Sequence, residues 1–122
     1  MKIAVAVVLV FFVTGIIGDD FYTSKYDNLD VEGILKNDRL LLSYHKCLLE
    51  GIRCTPEGEE LRKVLPEAIE TKCAKCTNKH KGTVKKVGKF LLNEKPELWN
   101  ELMEKYDPQN KYRADLERRL KE

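Results

Sequence analysis

The chain has 122 residues, a length that allows one domain and no more. Its formal net charge is only +2, and acidic and basic residues are interspersed, so no strong field attracts nucleic acid or an anionic membrane surface. The charged fraction of 34% is typical of solvated helix faces and not of a binding tract.

The first 18 residues have the layout of a secretory signal peptide. Lys2 supplies the positive start, an unbroken apolar run follows from Ile3 to Val13, and Gly18 offers a small residue for cleavage, with Gly15 as the alternative. The run is shorter than the about 20 residues that span a bilayer, although a membrane-anchoring helix remains the alternative interpretation. We therefore predict a secreted, extracellular protein with a signal peptide at 1–18, a helical domain at 19–122 and no stable membrane insertion after cleavage.

The first part of the domain combines an arm with two helices. Asp19 to Asn28 is polar and aromatic without helical periodicity, which indicates an extended arm laid over the domain. Asp30 can cap a short helix over Val31–Lys36, and Asn37 can cap a second helix over Asp38–Glu50.

A third helix begins at Thr55 and Pro56, the preferred residue types for the cap and the first helical position. It carries the clearest amphipathic stripe of the chain, namely Leu61, Val64, Leu65, Ala68 and Ile69. Pro66 lies inside this stripe and should kink or split the helix. A basic stretch, Lys79 to Lys86, then leads into a fourth helix, which Gly82 and Gly88 should weaken.

Two more helices are predicted near the C-terminus, separated by a helix stop signal. Pro96 begins the fifth helix, and Asp107-Pro108 ends it. A mostly polar last helix carries Tyr112, Leu116 and Leu120 at four-residue spacing. No stretch alternates apolar and polar residues over strand length, so the pattern predicts an all-α fold of five or six short helices around one core.

The four cysteines, Cys47, Cys54, Cys73 and Cys76, indicate two disulfides in an oxidising compartment, with three possible pairings. A redox role for the Cys73-x-x-Cys76 pair is disfavoured because it follows a helix in a chain without predicted strands. A four-cysteine zinc site is also disfavoured. It needs reduced thiolates, and six residues separate Cys47 from Cys54 where zinc sites usually have about two to four.

No catalytic constellation is visible. His45 and His80 have no neighbouring nucleophile or carboxylate pattern and are interpreted as surface or boundary residues. The acidic pairs lie at polar helix positions, and no glycine-rich phosphate loop exists. We therefore expect no enzyme activity, no cofactor and no metal. The amphipathic aromatics Tyr26, Tyr44 and Trp99 could line a ligand cavity, although ordinary core filling is the simpler interpretation.

The spacing Cys47-x6-Cys54-x18-Cys73-x2-Cys76 resembles that of the insect chemosensory protein family, also called OS-D-like proteins. The resemblance covers essentially the whole domain, since further motifs agree in order: Tyr22-Thr-Ser-Lys-Tyr26-Asp27-Asn28, Cys54-Thr-Pro-Glu-Gly58, Leu65-Pro-Glu-Ala68, Cys73-Ala-Lys-Cys76, Lys95-Pro-Glu-Leu-Trp99 and Lys105-Tyr-Asp-Pro108. The chain departs from the family pattern at His80, where relatives often have Gln. Gly82 and Gly88 are also unusual in the fourth helix.

The resemblance implies six helices around an internal hydrophobic channel, with the disulfides Cys47–Cys54 and Cys73–Cys76. It also implies a carrier that reversibly binds long-chain, fatty-acid-like or pheromone-like molecules, with chemosensation among its roles, and we expect a monomer. The expected ligand-binding residues are Tyr44, Trp99, Tyr26, Ile34, Leu42, Leu61, Val64, Leu65, Val84, Val87 and Leu91. The competing hypothesis is a secreted protein-interaction module with a filled core, acting in development or defence.

Overall fold

A computed structural model describes residues 21–122, so the expected signal peptide at 1–18 lies outside the described residues. All regular elements in the described range are helices, which confirms the all-α class. Their bounds are α1 Val31–Lys36, α2 Asp38–Glu50, α3 Pro56–Glu70, α4 Asn78–Glu94, α5 Pro96–Tyr106 and α6 Arg113–Leu120. Within residues 21–122 no helix has both the length and the apolarity that are needed to cross a bilayer.

Local capping sets the ends of α1 and α2. The Asp30 side chain accepts the Gly33 N–H at 3.0 Å, and the Asn37 side chain accepts the Leu40 N–H at 3.2 Å. Gly51 ends α2 in the left-handed region, with φ of 71°, where glycine is favoured. Both helices therefore have the bounds that the sequence predicts.

Helix α3 runs through Pro66 without a break, so the split that the sequence suggested is wrong. A proline removes one backbone donor, and packing can offset that loss. Here Ile69 is buried in the core and Leu65 packs against it, one residue before the proline. The tertiary contacts of this stripe hold the helix together on both sides of Pro66.

Helix α4 begins earlier than the sequence suggested and includes the basic stretch, which is not a lead-in segment. The Thr77 hydroxyl accepts the His80 N–H at 3.2 Å, and His80 Nδ1 accepts the Thr77 N–H at 3.2 Å. This reciprocal capping box uses histidine where the usual motif has Glu or Gln. The start was missed because that substitution hides the motif.

Helix α5 lies at the centre of the core and packs against α2, α3 and α4. The buried core residues are Leu35, Leu41, Leu48, Ile69, Leu91, Leu98, Trp99, Leu102, Met103 and Leu120. Leu120, at the end of α6, packs on α4 at Gly88, where an added Cβ would lie 2.7 Å from a Leu120 methyl carbon. The Gly88 position therefore allows α6 to approach α4 closely.

Two disulfides close neighbouring corners of the fold, with the pairing that the family resemblance implies. Cys47–Cys54 joins the end of α2 to the segment before α3, and Cys73–Cys76 closes the turn between α3 and α4. Cys47 is almost completely buried, so this bridge is also part of the packed interior.

The buried side chain of Asp107 organises the connection from α5 to α6. Its carboxylate accepts the backbone N–H groups of Lys111, Tyr112 and Arg113 at 2.8, 2.9 and 2.9 Å. Burial opposes ionisation of this carboxyl, but the three N–H groups outweigh it, so the pKa of Asp107 is lowered.

We expect Asp107→Asn to reduce the thermal stability at pH 7 and to flatten its dependence on acid pH. Because the folded-state pKa lies below the unfolded value, the carboxylate stabilises the fold above the unfolded pKa, and this contribution is lost as pH falls through the folded pKa. Circular dichroism melts at stepped pH values below about pH 5 test this. Glu104→Gln, an exposed acid of α5, is the matched control, and equal pH slopes for both variants would contradict the prediction.

Candidate ligand-binding site

Two neighbouring cavities lie between the N-terminal arm and the helices. The first, about 200 Å³, is bounded by the arm, the start of α1, α3 and α4, and the second, about 150 Å³, by the end of the arm and α1 to α5. The apolar residues of the first are Leu29, Val31, Leu61, Val64, Leu65, Ala68 and Val84. Those of the second are Leu29, Val31, Ile34, Leu35, Leu41, Leu48, Leu61, Val87, Leu91 and Leu102.

The two cavities share one wall, formed by Leu29, Val31, Glu57, Leu61 and Thr83. Leu61 is 40% exposed although it is a large apolar residue, and Val84, in the first cavity alone, is 48% exposed. Both therefore present uncovered apolar surface where a ligand could cover it.

A tyrosine–carboxylate pair stands in the lining of the second cavity. The Tyr44 hydroxyl of α2 donates to the Glu57 carboxylate of α3 at 2.5 Å. A Cβ at Gly58 would lie 3.2 Å from Cys47 Sγ and 3.2 Å from Thr55 Oγ1. The glycine thus lets the start of α3 lie against α2, which brings Glu57 within reach of Tyr44.

In this pair Glu57 is ionised and accepts the hydrogen bond, whereas Tyr44 is neutral and donates it. The hydrogen bond from Tyr44, together with backbone donation in the first turn of α3, lowers the pKa of Glu57. Burial and the bond to Glu57 raise the pKa of Tyr44. The wall therefore carries a negative charge at neutral pH beside a phenol that remains protonated.

The arm packs on α3 and on the turn that follows it. The Tyr22 N–H donates to the Lys75 carbonyl at 2.9 Å, and its hydroxyl donates to Glu67 at 2.8 Å. Burial, with that hydrogen bond, raises the pKa of Tyr22 to about 12. The arm is not extended throughout, because residues 25–28 form a turn. That turn places Tyr26 and Asp27 at the first cavity.

Both histidines have carboxylate partners, contrary to the sequence interpretation. His45 is buried in the wall of the second cavity, with Nε2 3.2 Å from Glu101 of α5. His80 borders the first cavity, with Nε2 3.2 Å from Asp27 of the arm. The partners come from distant parts of the chain, so local sequence could not reveal them. Within residues 21–122 no cluster of three or more suitable side chains could hold a metal ion.

The structure brings most of the expected site residues to these cavities. Tyr26, Val64, Leu65 and Val84 line the first, Ile34, Tyr44, Val87 and Leu91 the second, and Leu61 both. Trp99 and Leu42 line neither. Trp99 is 6% exposed in the core and donates its Nε1–H to Glu117 at 2.8 Å, whereas Leu42 is 51% exposed. A ligand role for these two residues stays a prediction.

Several lining residues were not singled out from the sequence, among them Tyr22, Leu29, Val31, Glu57 and Thr83. Val31 lies three residues before Ile34 and four before Leu35. Helical spacing alone could therefore have placed it on the same helix face as those two residues. Glu57 gave no such signal, because an acid in the first turn of a helix is ordinary.

The family model for the insect pheromone-binding family, A10/OS-D, matches residues 22–114. The chain belongs to this family. Ejaculatory bulb-specific protein 3 of Drosophila melanogaster is 46% identical over 121 aligned residues, covering 96% of this chain and 95% of that protein. Allergen Tha p 1 of Thaumetopoea pityocampa is 48% identical over 99 residues, covering 81% of this chain and 79% of that protein.

The A10/OS-D fold is also found in a solved chemosensory protein in complex with bromo-dodecanol. That structure is similar with a TM-score of 0.76 and 43% identity, covering 80% of this chain and 98% of that one. The family comprises secreted, non-enzymatic carriers, which confirms the expectation that the chain is not an enzyme.

Proposed function

We propose that this A10/OS-D protein is a reversible carrier for long-chain apolar molecules, held across both cavities. The observation that supports this most directly is the shared wall of Leu29, Val31, Glu57, Leu61 and Thr83. The relative of known structure was solved with bromo-dodecanol, an alcohol of the same chemical class. We further propose that residues 1–18 are the signal peptide and that 19–122 is the mature carrier.

The sizes of the cavities favour a thin, flexible ligand. Each is smaller than the about 300 Å³ at which small-molecule pockets usually begin. A linear chain could thread from one into the other if the Leu61 and Val31 side chains changed rotamer. A compact ring system would need both cavities to merge fully, at a greater cost in core packing.

Apolar burial can supply the affinity. Each buried methylene contributes about 0.8 kcal/mol, so twelve would give about 10 kcal/mol before ordering costs are subtracted. A micromolar Kd corresponds to about −8 kcal/mol and is therefore within reach. One methylene more or less changes this sum by only about 0.8 kcal/mol, about fourfold in Kd, so discrimination between neighbouring chain lengths should be modest.

Dodecanol should bind the refolded protein saturably, and Leu61→Trp should weaken that binding about tenfold, equal to about 1.4 kcal/mol. The larger ring would occupy the shared wall and block passage between the cavities. Because Leu61 is 40% exposed, the fold should tolerate the change. Displacement of a neutral, linear fluorescent polyene alcohol, whose chain is as thin as that of dodecanol, measures both affinities.

Leu40→Trp is the matched control, since Leu40 is also exposed and helical but lines neither cavity. Its dodecanol affinity should stay close to that of the unmodified protein. Equal losses in both variants would show that dodecanol does not bind at the shared wall, and no saturable binding of C12 to C18 alcohols would refute the carrier. The second outcome would favour the protein-interaction module.

A further inference from the structure

A polar groove of about 500 Å³ lies between α1 and α4, beside the two cavities that carry the proposed function. Leu29, Val31 and Thr83 line the groove and both cavities, and Asp27 lines the groove and the first cavity. The other residues of the groove are all exposed, namely Asp30, Glu32, Asn78, Lys79, Gly82 and Lys86. The apolar interior therefore leads directly into a polar space that water can reach.

Helix α4 contributes the basic wall of this groove. Lys79, Gly82 and Lys86 follow one another at spacings of three and four residues, so they share one helix face. An added Cβ at Gly82 would meet nothing within 4 Å, so the surface between the two lysines is open. The polar end of a ligand can lie over Gly82, within reach of both flexible lysine side chains.

The three carboxylates of the groove already have partners within the protein. Asp27 lies 3.2 Å from His80 Nε2, and Asp30 accepts a backbone N–H of the first turn of α1 at 3.0 Å. Glu32 lies 3.3 Å from Lys86 Nζ and 3.5 Å from a lysine of its own helix. Hydrogen bonds from these two lysines lower the pKa of Glu32. These partners offset much of the negative charge that an anionic ligand would meet in the groove.

Lys79 is the lysine of the groove that has no such partner. Within residues 21–122 no carboxylate forms an ion pair with Lys79, whereas Lys86 is held by Glu32. The exposed Lys79 side chain can therefore turn into the groove without breaking an ion pair of the protein. Its ammonium group has three donors and no acceptor, which suits a carboxylate and not a second cation.

We propose that this groove is the subsite for the polar end of the ligand and that it takes an anionic end, such as the carboxylate of a fatty acid. The apolar chain lies in the cavities, and the carboxylate emerges past Thr83 and accepts hydrogen bonds from Lys79, with Lys86 as a second cation. Water reaches the groove, so the carboxylate also keeps part of its hydration. This inference rests on the proposed carrier function and adds the place and the charge of the ligand's polar end.

The test compares dodecanoate, ionised at about pH 8, with the neutral ligands dodecanol and methyl dodecanoate. Raising the salt concentration from about 20 to about 500 mM should weaken dodecanoate binding about threefold, because salt screens exposed ion pairs. Neither neutral ligand should bind more weakly in high salt. Displacement of the linear polyene alcohol, below the micelle concentration of dodecanoate, gives each Kd.

Lys79→Gln should weaken dodecanoate binding about threefold to fivefold in low salt, the upper range for an exposed ion pair. Dodecanol should stay within about twofold, which also reports that the variant is folded. Lys79→Arg keeps the charge and should retain the dodecanoate affinity. Lys81→Gln is the matched control, because Lys81 is also an exposed lysine of α4 but lines neither the groove nor a cavity.

The outcomes separate the two proposals. If none of the three ligands binds the unmodified protein, the carrier function fails and this inference fails with it. If the neutral ligands bind but dodecanoate does not, the carrier stands and the anionic subsite is overturned. The subsite is also overturned if dodecanoate binding ignores salt, or if Lys79→Gln and Lys81→Gln weaken it alike.

Discussion

Replacing Trp99 with alanine should lower the free energy of unfolding by about 3 to 5 kcal/mol, the range for truncating a large buried aromatic. The indole is 6% exposed within α5, the helix that contacts α2, α3 and α4. The substitution would leave a cavity in the middle of this packing and would remove the half-buried hydrogen bond from Trp99 to Glu117. Urea denaturation followed by circular dichroism measures the change.

Trp99→Phe separates these two effects, because it keeps most of the ring volume but loses the Nε1–H donor to Glu117. Burial opposes ionisation of Glu117, and hydrogen bonds from Arg113 and Trp99 outweigh it, so its pKa is lowered. Trp99→Phe should therefore lower the free energy of unfolding by less than the alanine variant does. We expect a loss of about 1 to 3 kcal/mol, because the Glu117 carboxylate loses one hydrogen-bond donor. A loss below about 1 kcal/mol for Trp99→Ala would contradict the central position of the indole.

Gly88→Val should destabilise the fold by about 1 to 3 kcal/mol, as overpacking of a filled core does. A Cβ at this position would lie 2.7 and 2.9 Å from the two methyl carbons of Leu120, which is itself buried. The collision would push α6 away from α4. Thermal and urea unfolding, together with protease sensitivity of the C-terminal helix, measure this effect.

The same substitution at Gly82 provides the control. Gly82 lies in the same helix, and an added Cβ there meets nothing within 4 Å. Gly82→Val should change stability by no more than about 0.5 kcal/mol, because valine has somewhat better helix propensity than glycine. Equal destabilisation by both variants would show that contact with Leu120 does not set the cost at Gly88.

The features predicted best from sequence are those that depend on adjacent residues. The bounds of α1 and α2 follow from Asp30, Asn37 and Gly51, since caps act within one turn. The start of α4 was missed although it is equally local, because His80 takes the place of the usual Glu or Gln.

Features that join distant parts of the chain could not be predicted in this way. Apolar periodicity identifies a buried face, but it does not say whether that face meets another side chain or an open cavity. Leu61 and Trp99 both lie on amphipathic helices, yet the first lines both cavities and the second fills the core. Likewise, Gly88 looked like a weak point until the position of Leu120 was known.

The short reach of the two disulfides has a consequence for oxidative refolding. The bonded cysteines are separated by only seven and three positions, and every alternative pairing must close a longer loop. Because the entropy cost of closing a loop rises with its length, the reduced, unfolded chain already favours the native partners. Correct cross-links can therefore form before any tertiary packing, and scrambled isomers are disfavoured from the outset.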